Sequence, residues 1–280
     1  MTRVAVVTGA AGAMGGACAR VLGTGYDVLL LTDVDEARLH TAAAELAREH
    51  GSTVELFVAD LGAPAAAGDI AARARALGTL GALVHTAGLS PAMAGWQDIL
   101  AVDLVAVVRL LDAFLPQVGP GSVAVCLASI AGHMGTFDSR MDAVLDDALA
   151  PDLVERFRAA CETEPDPGAT YRLAKRAVMR RCARVAVDWG ARGGRVVSLS
   201  PGLIDTGMGR LELEHQPVKQ WLAKITPVGC RDGETVLPGR TDDIASAVAF
   251  LCSDAASFVS GCDLRVDGGL VAALDQQSGE

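Results

Sequence analysis

The chain has 280 residues and a mass of 28.8 kDa, with a formal net charge of −10 at pH 7. Hydrophobic residues make up 51% of it and charged residues 21%, which excludes a disordered chain, and the acidic balance argues against a nucleic-acid partner. Seven Cys without a C-x-x-C pair exclude a zinc ribbon and favour a reducing compartment, and no apolar run is long enough to span a membrane. We therefore expect a cytoplasmic globular protein with no metal site and no signal peptide.

Short apolar runs that are ended by turn residues alternate with helical patterns along the chain. They predict seven strands, at 3–8, 26–32, 53–58, 82–85, 122–127, 195–199 and 263–266. Helices are predicted between them, at 13–24, 35–50, 65–77, 96–115 and 169–190. Apolar strands that alternate with helices are typical of a parallel sheet with helices on both faces. The pattern predicts a single α/β domain over residues 1–280, with a doubly wound, Rossmann-type sheet of seven strands.

Residues 136–168 interrupt this alternation before the helix at 169–190. The segment carries nine acidic residues against three Arg, and its apolar residues recur at helical spacing. A long loop without structure is uncommon in a compact domain, so we predict two short amphipathic helices packed on the body.

The segment that joins the first strand to the first helix is rich in glycine and contains Gly9, Gly12 and Gly15, with Ala13 and Met14 before the last. Glycines let the backbone approach a pyrophosphate, whose charge is stabilised by free N–H groups at a helix N-terminus. A tight strand-to-helix turn without a ligand has the same pattern, so the loop alone leaves both interpretations open.

Asp33 stands at the end of the second strand, 18 residues beyond Gly15. A carboxylate there can accept hydrogen bonds from the adenosine ribose hydroxyls and repels a 2′-phosphate. Asp33 and Glu36 also fit a helix capping box, which is compatible with the first role. No Arg or Lys follows Asp33 before Arg38, so the sequence favours NAD over NADP.

Tyr171 and Lys175 form an i,i+4 pair on one face of a predicted helix, in a chain that has only two Tyr and three Lys. A phenol is a poor base because its free pKa is about 10, and a nearby ammonium lowers that pKa. The pair therefore fits an acid/base group, although a solvated surface pair has the same spacing.

Ser129 follows the fifth strand, at the edge where parallel sheets bind ligands, and a hydroxyl there can hydrogen-bond a substrate oxygen. An ordinary strand-terminating Ser is the alternative. His85 and His133 also follow strand ends, and we rank both as secondary candidates because a lone His is more often structural.

Together these residues resemble the short-chain dehydrogenase/reductase family over nearly the whole chain. The resemblance rests on the Thr-Gly loop, Asp33, Ser129, the Tyr-x-x-x-Lys pair and a further set of short motifs: Asp60-Leu61, Ala87-Gly88, Pro201-Gly202 with Thr206, and Val266-Asp267-Gly268-Gly269.

The resemblance implies that Ser129 polarises a carbonyl, that Tyr171 donates or accepts the proton, and that Lys175 lowers the pKa of Tyr171 and binds the nicotinamide ribose. It also implies a set of NAD-binding residues, namely Gly9, Gly12, Ala13, Met14, Gly15, Asp33, Asp60, Leu61, Ala87, Gly88, Tyr171, Lys175, Pro201, Gly202, Ile204 and Thr206. The long insert and the preceding Asp-Ala-Phe-Leu-Pro resemble the branch of bacterial 3α-hydroxysteroid dehydrogenases/carbonyl reductases.

The chain departs from the family pattern in three places. Ala13 stands where the compact branch usually has Gly, and the Asn-Asn-Ala-Gly motif reads His85-Thr86-Ala87-Gly88. Asp103 replaces the Asn of the catalytic tetrad, so we count it among the catalytic candidates. An ionised Asp103 near Lys175 is expected to offset part of the ammonium field at Tyr171. A side chain that points to solvent or caps local backbone is the alternative.

The resemblance implies an NAD-dependent dehydrogenase that interconverts a hydrophobic secondary alcohol and its ketone, most of all a 3α-type hydroxysteroid or a related alicyclic alcohol. The alternatives are a carbonyl reductase for another apolar ketone and a weakly catalytic NAD-sensing protein. We expect residues 205–227 to form a lid in which Met208, Leu211, Leu213 and Trp221 cover the substrate. The family also implies a homo-oligomer, and the position of the insert favours a dimer over a tetramer.

Overall fold

The computed structural model describes residues 1–49, 51–135, 137–215, 217–231, 236–237 and 239–278. Its strands are β1 (Arg3–Thr8), β2 (Val28–Asp33), β3 (Thr53–Val58), β4 (Thr79–His85), β5 (Val123–Leu127), β6 (Arg195–Pro201), β7 (Cys230–Arg231), β8 (Val236–Leu237) and β9 (Asp263–Val266). Its α-helices are α1 (Ala13–Leu22), α2 (Glu36–Glu49), α3 (Ala66–Leu77), α4 (Trp96–Leu100), α5 (Ala106–Phe114), α6 (Ser139–Asp146), α7 (Leu153–Ala160), α8 (Pro167–Gly190), α9 (Gly207–His215), α10 (Pro217–Ile225), α11 (Thr241–Leu251) and α12 (Leu270–Ser278). In this part of the chain no helix is long and apolar enough to cross a membrane.

Seven strands form one parallel sheet in the order β3-β2-β1-β4-β5-β6-β9. This confirms the predicted seven-stranded, doubly wound sheet with helices on both faces. The chain runs from β1 to one edge and then returns to β4 on the other side of β1. The order therefore reverses between β1 and β4, and ligands bind at the carboxyl ends of the strands at such a point.

The strands are apolar on both sides because each face of the sheet carries its own core. Val4 and Val6 of β1 pack in one hydrophobic cluster, whereas Ala5 and Val7 pack in the other. Because successive side chains of a strand point to opposite faces, this alternation confirms that helices cover both sides.

The helix predicted over 96–115 is not continuous. It consists of α4, a π-helical turn at Ala101–Val105 and α5. A π-turn widens the helix by one residue per hydrogen-bonded ring, which changes the direction of the side chains that follow. Here the wider turn contains Asp103, whose side chain is buried.

The insert folds as predicted into two short helices, α6 and α7; its first residue, Thr136, lies outside the described residues. Phe157 of α7 is fully buried and stacks on Trp96 of α4, with their ring centroids 5.7 Å apart. Arg158 lies over the same Trp ring at 5.4 Å. The insert therefore adds an aromatic contact that fixes it to the body of the fold.

Ion pairs attach α6 to α8 along their length. The Asp142 carboxylate accepts two hydrogen bonds from Arg176, each 3.0 Å long, and lies 3.3 Å from Nη1 of Arg180. One turn further, Asp146 pairs with Arg180 at 2.6 Å and with Arg184. The acidic character of the insert is thus explained in part by the arginines that α8 presents to it.

The segment after β6 contains α9 and α10, within the residues that we predicted as a lid without assigning helices. It also contains β7 and β8, an antiparallel pair of two residues each, which the sequence did not predict. A strand of two residues is too short to leave a periodic signal in sequence. Main-chain hydrogen bonds tie the segment to the C-terminal loop, since Val228 N donates to Gly268 O at 2.8 Å.

We expect the Asp142→Asn variant to lower the free energy of unfolding by roughly 1–3 kcal/mol, because it leaves two hydrogen bonds of the half-buried Arg176 without their charged partner and removes one of the two carboxylates at Arg180. Thermal and urea unfolding measure the loss. Asp147→Asn is the matched control, since Asp147 bonds to Arg156 in the same insert at 2.7 Å but is 62% exposed. That control should unfold like the wild type. Equal losses in both variants would contradict the assignment.

Candidate active site

A cleft of about 1480 Å³ opens at the carboxyl edge of the sheet. It brings together residues from the loops after β1, β2, β3, β4, β5 and β6 and from the start of α8. Every predicted cofactor-binding residue lines it, including Tyr171 and Lys175, which are also predicted as catalytic. Of the other two predicted catalytic residues, Ser129 lines the cleft and Asp103 does not. These lining residues are Gly9, Gly12, Ala13, Met14, Gly15, Asp33, Asp60, Leu61, Ala87, Gly88, Ser129, Tyr171, Lys175, Pro201, Gly202, Ile204 and Thr206.

The glycine loop is packed so closely that a side chain would not fit at Gly9 or Gly15. Gly9 adopts φ +67°, and a Cβ there would lie 2.7 Å from the main-chain nitrogen of Ala87. A Cβ on Gly15 would lie 2.1 Å from the carbonyl oxygen of Gly9. Helix α1 starts after Gly12 without a side-chain cap and without an acidic residue in its first turn. Its first N–H groups and its dipole therefore point into the cleft with no side-chain acceptor, as a pyrophosphate site requires.

Asp33 lies at the end of β2 and faces this loop. Its Oδ2 accepts a hydrogen bond from Ala11 N at 3.0 Å, and its Oδ1 accepts one from Asp35 N at 3.2 Å. The predicted capping role of Asp33 is wrong, because Asp35 Oδ1 accepts the Arg38 N–H at 3.0 Å and so caps α2 itself. The remaining lone pairs of Asp33 leave it able to accept hydrogen bonds from a ligand in the cleft.

Other predicted cofactor residues have local roles that shape the cleft. Asp60 Oδ1 accepts the Gly62 N–H at 2.9 Å in the turn after β3. Thr206 Oγ1 accepts the Gly209 N–H at 3.0 Å at the start of α9. A Cβ on Gly202 would lie 2.7 Å from the Cα of Asp267, so a small residue is needed where the loop after β6 meets the C-terminal segment. Their contacts with a cofactor stay predictions.

The structure brings Ser129, Tyr171 and Lys175 to one wall of the cleft. Ser129 Oγ accepts the Ala131 N–H at 3.1 Å in the 3₁₀ turn Ile130–His133. The Lys175 ammonium lies 5.5 Å from the centroid of the Tyr171 ring, one helical turn away on α8. This arrangement places a hydroxyl, a phenol and a positive charge around the same space.

Lys175 and Asp103 form a buried ion pair behind that wall. Lys175 Nζ lies 3.1 Å from Asp103 Oδ1 and donates to the carbonyl oxygen of Leu127 at 3.4 Å. Asp103 is fully buried and also accepts the Leu89 N–H at 3.1 Å. The alternative in which Asp103 points to solvent is therefore wrong. Asp103 is absent from the cleft lining, so its influence on a ligand passes through Lys175, and it is a positioning residue rather than a catalytic one.

The two charges of the pair stabilise each other against burial. Burial raises the pKa of Asp103 above its ordinary value, while Lys175 and the Leu89 N–H act against that shift. Burial disfavours the ammonium of Lys175, yet the attraction of Asp103, together with that of Tyr171, raises the pKa of Lys175. Lys175 is thus held in its charged form at neutral pH. Gly88 makes the contact possible, since a Cβ there would lie 2.5 Å from Asp103 Oδ1.

Neither secondary histidine lines the cleft. His85 is buried, with its Nδ1 2.7 Å from the hydroxyl of Thr8, and burial and nearby Lys175 lower the pKa of His85 to about 3. It is neutral at physiological pH. His133 Nε2 lies 2.8 Å from Asp263 Oδ2 on β9. Both histidines therefore support the sheet.

Apolar side chains also line the cleft. They are Met93, Met134 and Leu203, together with Leu213, Val218 and Leu222 from the segment predicted as a lid. The charged residues Asp98, Asp166, Arg172 and Lys219 line the cleft as well. The side chains of Met208 and Leu211, which we also expected there, lie outside the described residues. Trp221 was expected to cover the substrate, but it is 44% exposed and absent from the lining, because α10 turns Val218 and Leu222 to the cleft instead.

Sequence reasoning missed Arg38, which lines the cleft beside Asp33 and Val34. Its Nη2 donates to the carbonyl oxygen of Ala11 at 2.9 Å. No sequence pattern indicates this position, because it depends on where α2 begins. The helix begins at Glu36, so its first turn brings Arg38 back towards the glycine loop.

Comparison with known proteins agrees with the family resemblance of the sequence. A short-chain dehydrogenase model matches residues 3–140, and a model described as enoyl-(acyl carrier protein) reductase matches residues 158–271. A short-chain dehydrogenase/reductase of Alternaria brassicicola is 31% identical, over 99% of both chains. This chain belongs to the short-chain dehydrogenase/reductase family.

Other relatives act on alcohols and ketones, according to their names. A 3α-hydroxysteroid dehydrogenase/carbonyl reductase of Comamonas testosteroni is 27% identical over 97% of both chains, and a cis-4-hydroxycyclohexanecarboxylate dehydrogenase of Sinomonas cyclohexanicum is 30% identical over 96% of this chain and 97% of its own. A short-chain dehydrogenase/reductase (glucose/ribitol dehydrogenase) structure from Brucella melitensis is 27% identical with a TM-score of 0.74, over 96% of both chains. The chain is thus an oxidoreductase of a family that uses nicotinamide cofactors, and the glycine cradle and uncapped α1 fit such a group.

Proposed function

We propose that this protein is an NAD-dependent dehydrogenase that interconverts an apolar alicyclic alcohol, most of all a 3α-type hydroxysteroid, and its ketone. The observation that carries the proposal is that one cleft is lined by Asp33 and the glycine cradle, by Tyr171 and Lys175, and by apolar side chains that include Leu213 and Leu222. The hydroxysteroid and cyclohexane-ring substrates in the names of two relatives support the substrate class.

The donors and acceptors in the cleft support one position for the cofactor. The N–H groups at the start of α1 would hold the pyrophosphate, Asp33 would accept hydrogen bonds from the adenosine ribose, and Lys175 would donate to the nicotinamide ribose. When bound, the nicotinamide supplies or accepts the hydride. The negative charge of Asp33 favours NAD, because it repels the 2′-phosphate of NADP.

The protein's own groups move the proton. In alcohol oxidation the Tyr171 phenolate accepts the proton of the substrate hydroxyl, and the charge of Lys175 stabilises that phenolate. Ser129 donates its hydroxyl hydrogen to the substrate oxygen, since its Oγ already accepts the Ala131 N–H. In ketone reduction the same groups act in reverse, and Tyr171 donates the proton.

The proposal is tested by titrating NADH and NADPH fluorescence with the purified protein and then assaying steroid alcohols, terpenoid alcohols, simple cyclohexanols and polyols with each cofactor. We expect tighter binding of NADH and the highest kcat/KM with an apolar ring alcohol. Higher kcat/KM with a polyol would refute the substrate class, and stronger NADPH use would refute the cofactor. Cofactor binding without turnover of any alcohol or ketone would favour the NAD-sensing alternative.

Tyr171→Phe should lower kcat by about 10²- to 10⁴-fold, because it removes the acid/base group and leaves the other contacts in place. The Kd of NADH, measured by fluorescence titration, should stay within about threefold of the wild type, a margin set by the modest energy of one hydrogen bond. Substantial turnover in this variant would remove Tyr171 from the mechanism.

Asp103→Asn should move the limb on which kcat/KM for alcohol oxidation rises with pH to lower pH. The substitution removes a negative charge 3.1 Å from Lys175, so the ammonium acts on Tyr171 without that opposing charge, and the phenolate forms at lower pH. The control is Asp69→Asn, which removes an exposed carboxylate on α3 and should leave the profile unchanged. Superimposable profiles for wild type and Asp103→Asn would show that the carboxylate does not act on the proton transfer.

A further inference from the structure

The arginines of helix α8 bind carboxylates, with one exception. The helix carries five of them. Arg176, Arg180 and Arg184 pair with carboxylates of α6, and Arg181 pairs with a carboxylate of α5. Within the part of the chain that the structure describes, the side chain of the fifth, Arg172, has neither a hydrogen bond nor an ion pair. Arg172 is therefore the arginine of α8 whose charge the described residues leave unpaired.

Arg172 lies at the cleft. It precedes Arg176 by one helical turn, directly follows Tyr171 along the chain, and lines the cleft together with it. Its side chain is exposed, so a ligand that enters the cleft can reach it without displacing a packed neighbour. Consecutive residues of a helix point about 100° apart, so the guanidinium and the Tyr171 phenol contact different parts of a ligand.

Two carboxylates in the same lining have local roles. Asp166 caps α8, since its Oδ2 accepts the Ala169 N–H at 2.7 Å. Asp98 lies exposed in the first turn of α4, where the helix dipole favours a negative charge. Neither pairs with Arg172, and Lys219 of α10 brings a further positive charge to the lining. The cleft therefore presents a guanidinium that no carboxylate of the described residues neutralises.

We propose that Arg172 is a specificity-determining residue that binds an anionic group of the substrate, so that the preferred ring alcohol carries a carboxylate away from the carbon that is oxidised. This rests on the proposed function and narrows its substrate class. A planar guanidinium binds a carboxylate with two parallel hydrogen bonds, as Arg176 binds Asp142 on the next turn of the same helix. Apolar side chains of the cleft would contact the ring, Tyr171 its hydroxyl and Arg172 the carboxylate.

A phosphate of the cofactor is the other source of an anion in this cleft. The substrate is the better source for two reasons. The uncapped start of α1 already offers N–H donors to the pyrophosphate, and Arg172 belongs to the helix that carries the proton-transfer group Tyr171. The Kd of NADH in Arg172 variants distinguishes the two sources.

The experiment compares each acid with a neutral analogue: 4-hydroxycyclohexanecarboxylate with its carboxamide, and a 3α-hydroxysteroid that has a carboxylate side chain with its methyl ester. The measured quantity is the ratio of kcat/KM for the acid to kcat/KM for the analogue, with NAD. We expect a ratio of about 10 to 100 in the wild type, the range for a hydrogen bond to a charged group. Arg172→Gln should bring it close to one. Arg172→Lys should keep part of it, because an ammonium retains the charge without the planar fork.

The matched control is Arg192→Gln. Arg192 follows the other end of α8, is exposed and does not line the cleft, so this variant should keep the wild-type ratio. A wild-type ratio near one, or a high ratio that survives Arg172→Gln, would overturn the proposal. A Kd of NADH that rises about tenfold or more in Arg172→Gln, the loss of a charged hydrogen bond, would assign Arg172 to the cofactor and overturn it as well.

A binding measurement separates this inference from the proposed function. Calorimetric titration of the NADH complexes of Tyr171→Phe and Tyr171→Phe/Arg172→Gln gives the Kd of each compound without turnover. Tighter binding of the acids that requires Arg172 would support the inference, even if the wild type oxidises none of these alcohols and the proposed function fails. Equal Kd values for acid and neutral analogue would refute the inference, even where both alcohols are oxidised.

Discussion

Lys175 carries a buried positive charge at the carboxyl edge of the sheet, and the arrangement of the surrounding residues depends on that charge. A buried ammonium is stable only where an opposite charge and hydrogen-bond acceptors replace water. Asp103 supplies the charge at 3.1 Å and the main chain of Leu127 supplies an acceptor. The π-turn contains Asp103 and brings it inside the fold, and Gly88 leaves the space that the pair needs. The wide helical turn and the missing side chain at residue 88 thus both make room for the same buried ion pair.

Helix α8 connects this charge to the insert. Tyr171 and Lys175 project from one face of it into the cleft. About 100° around the same helix, Arg176 begins a row that continues one and two turns later and binds the carboxylates of α6. The insert therefore contacts the middle of the helix that carries the acid/base pair, from Arg176 to Arg184. Two of its acidic residues, Asp142 and Asp146, stabilise the position of that helix.

Much of the fold and site was predictable because the determining signals are local. Alternating apolar runs gave the seven strands, the amphipathic spacing in the insert gave α6 and α7, and the Tyr-x-x-x-Lys spacing placed both side chains on one face. Features that depend on three-dimensional register were not predictable. The π-turn has no periodic signature, the burial of Asp103 depends on Gly88, which lies 15 residues earlier, and β7 and β8 are too short. Along the chain, Arg38 lies too far from Asp33 to predict that the two side chains meet at one place. The turn into α2 nevertheless brings both side chains to Ala11.

Opposite charges occur at two places in the site, behind the wall that carries Tyr171 and at the glycine loop, and their surroundings differ. Lys175 and Asp103 touch each other and are buried, where the low dielectric makes their attraction strong and salt screens it little. Asp33 and Arg38 bond to the two ends of one peptide unit, with Asp33 half-buried and Arg38 exposed, so solvent and salt screen their mutual influence more than in the buried pair. Removing one member of the buried pair leaves an uncompensated charge inside the protein, which is destabilising. Removing the exposed Arg38 side chain should cost the fold little, whereas Asp33 also accepts the Ala11 and Asp35 N–H groups and so holds the loop. The buried charge beside Tyr171 is therefore tied more closely to stability than the charges at the glycine loop.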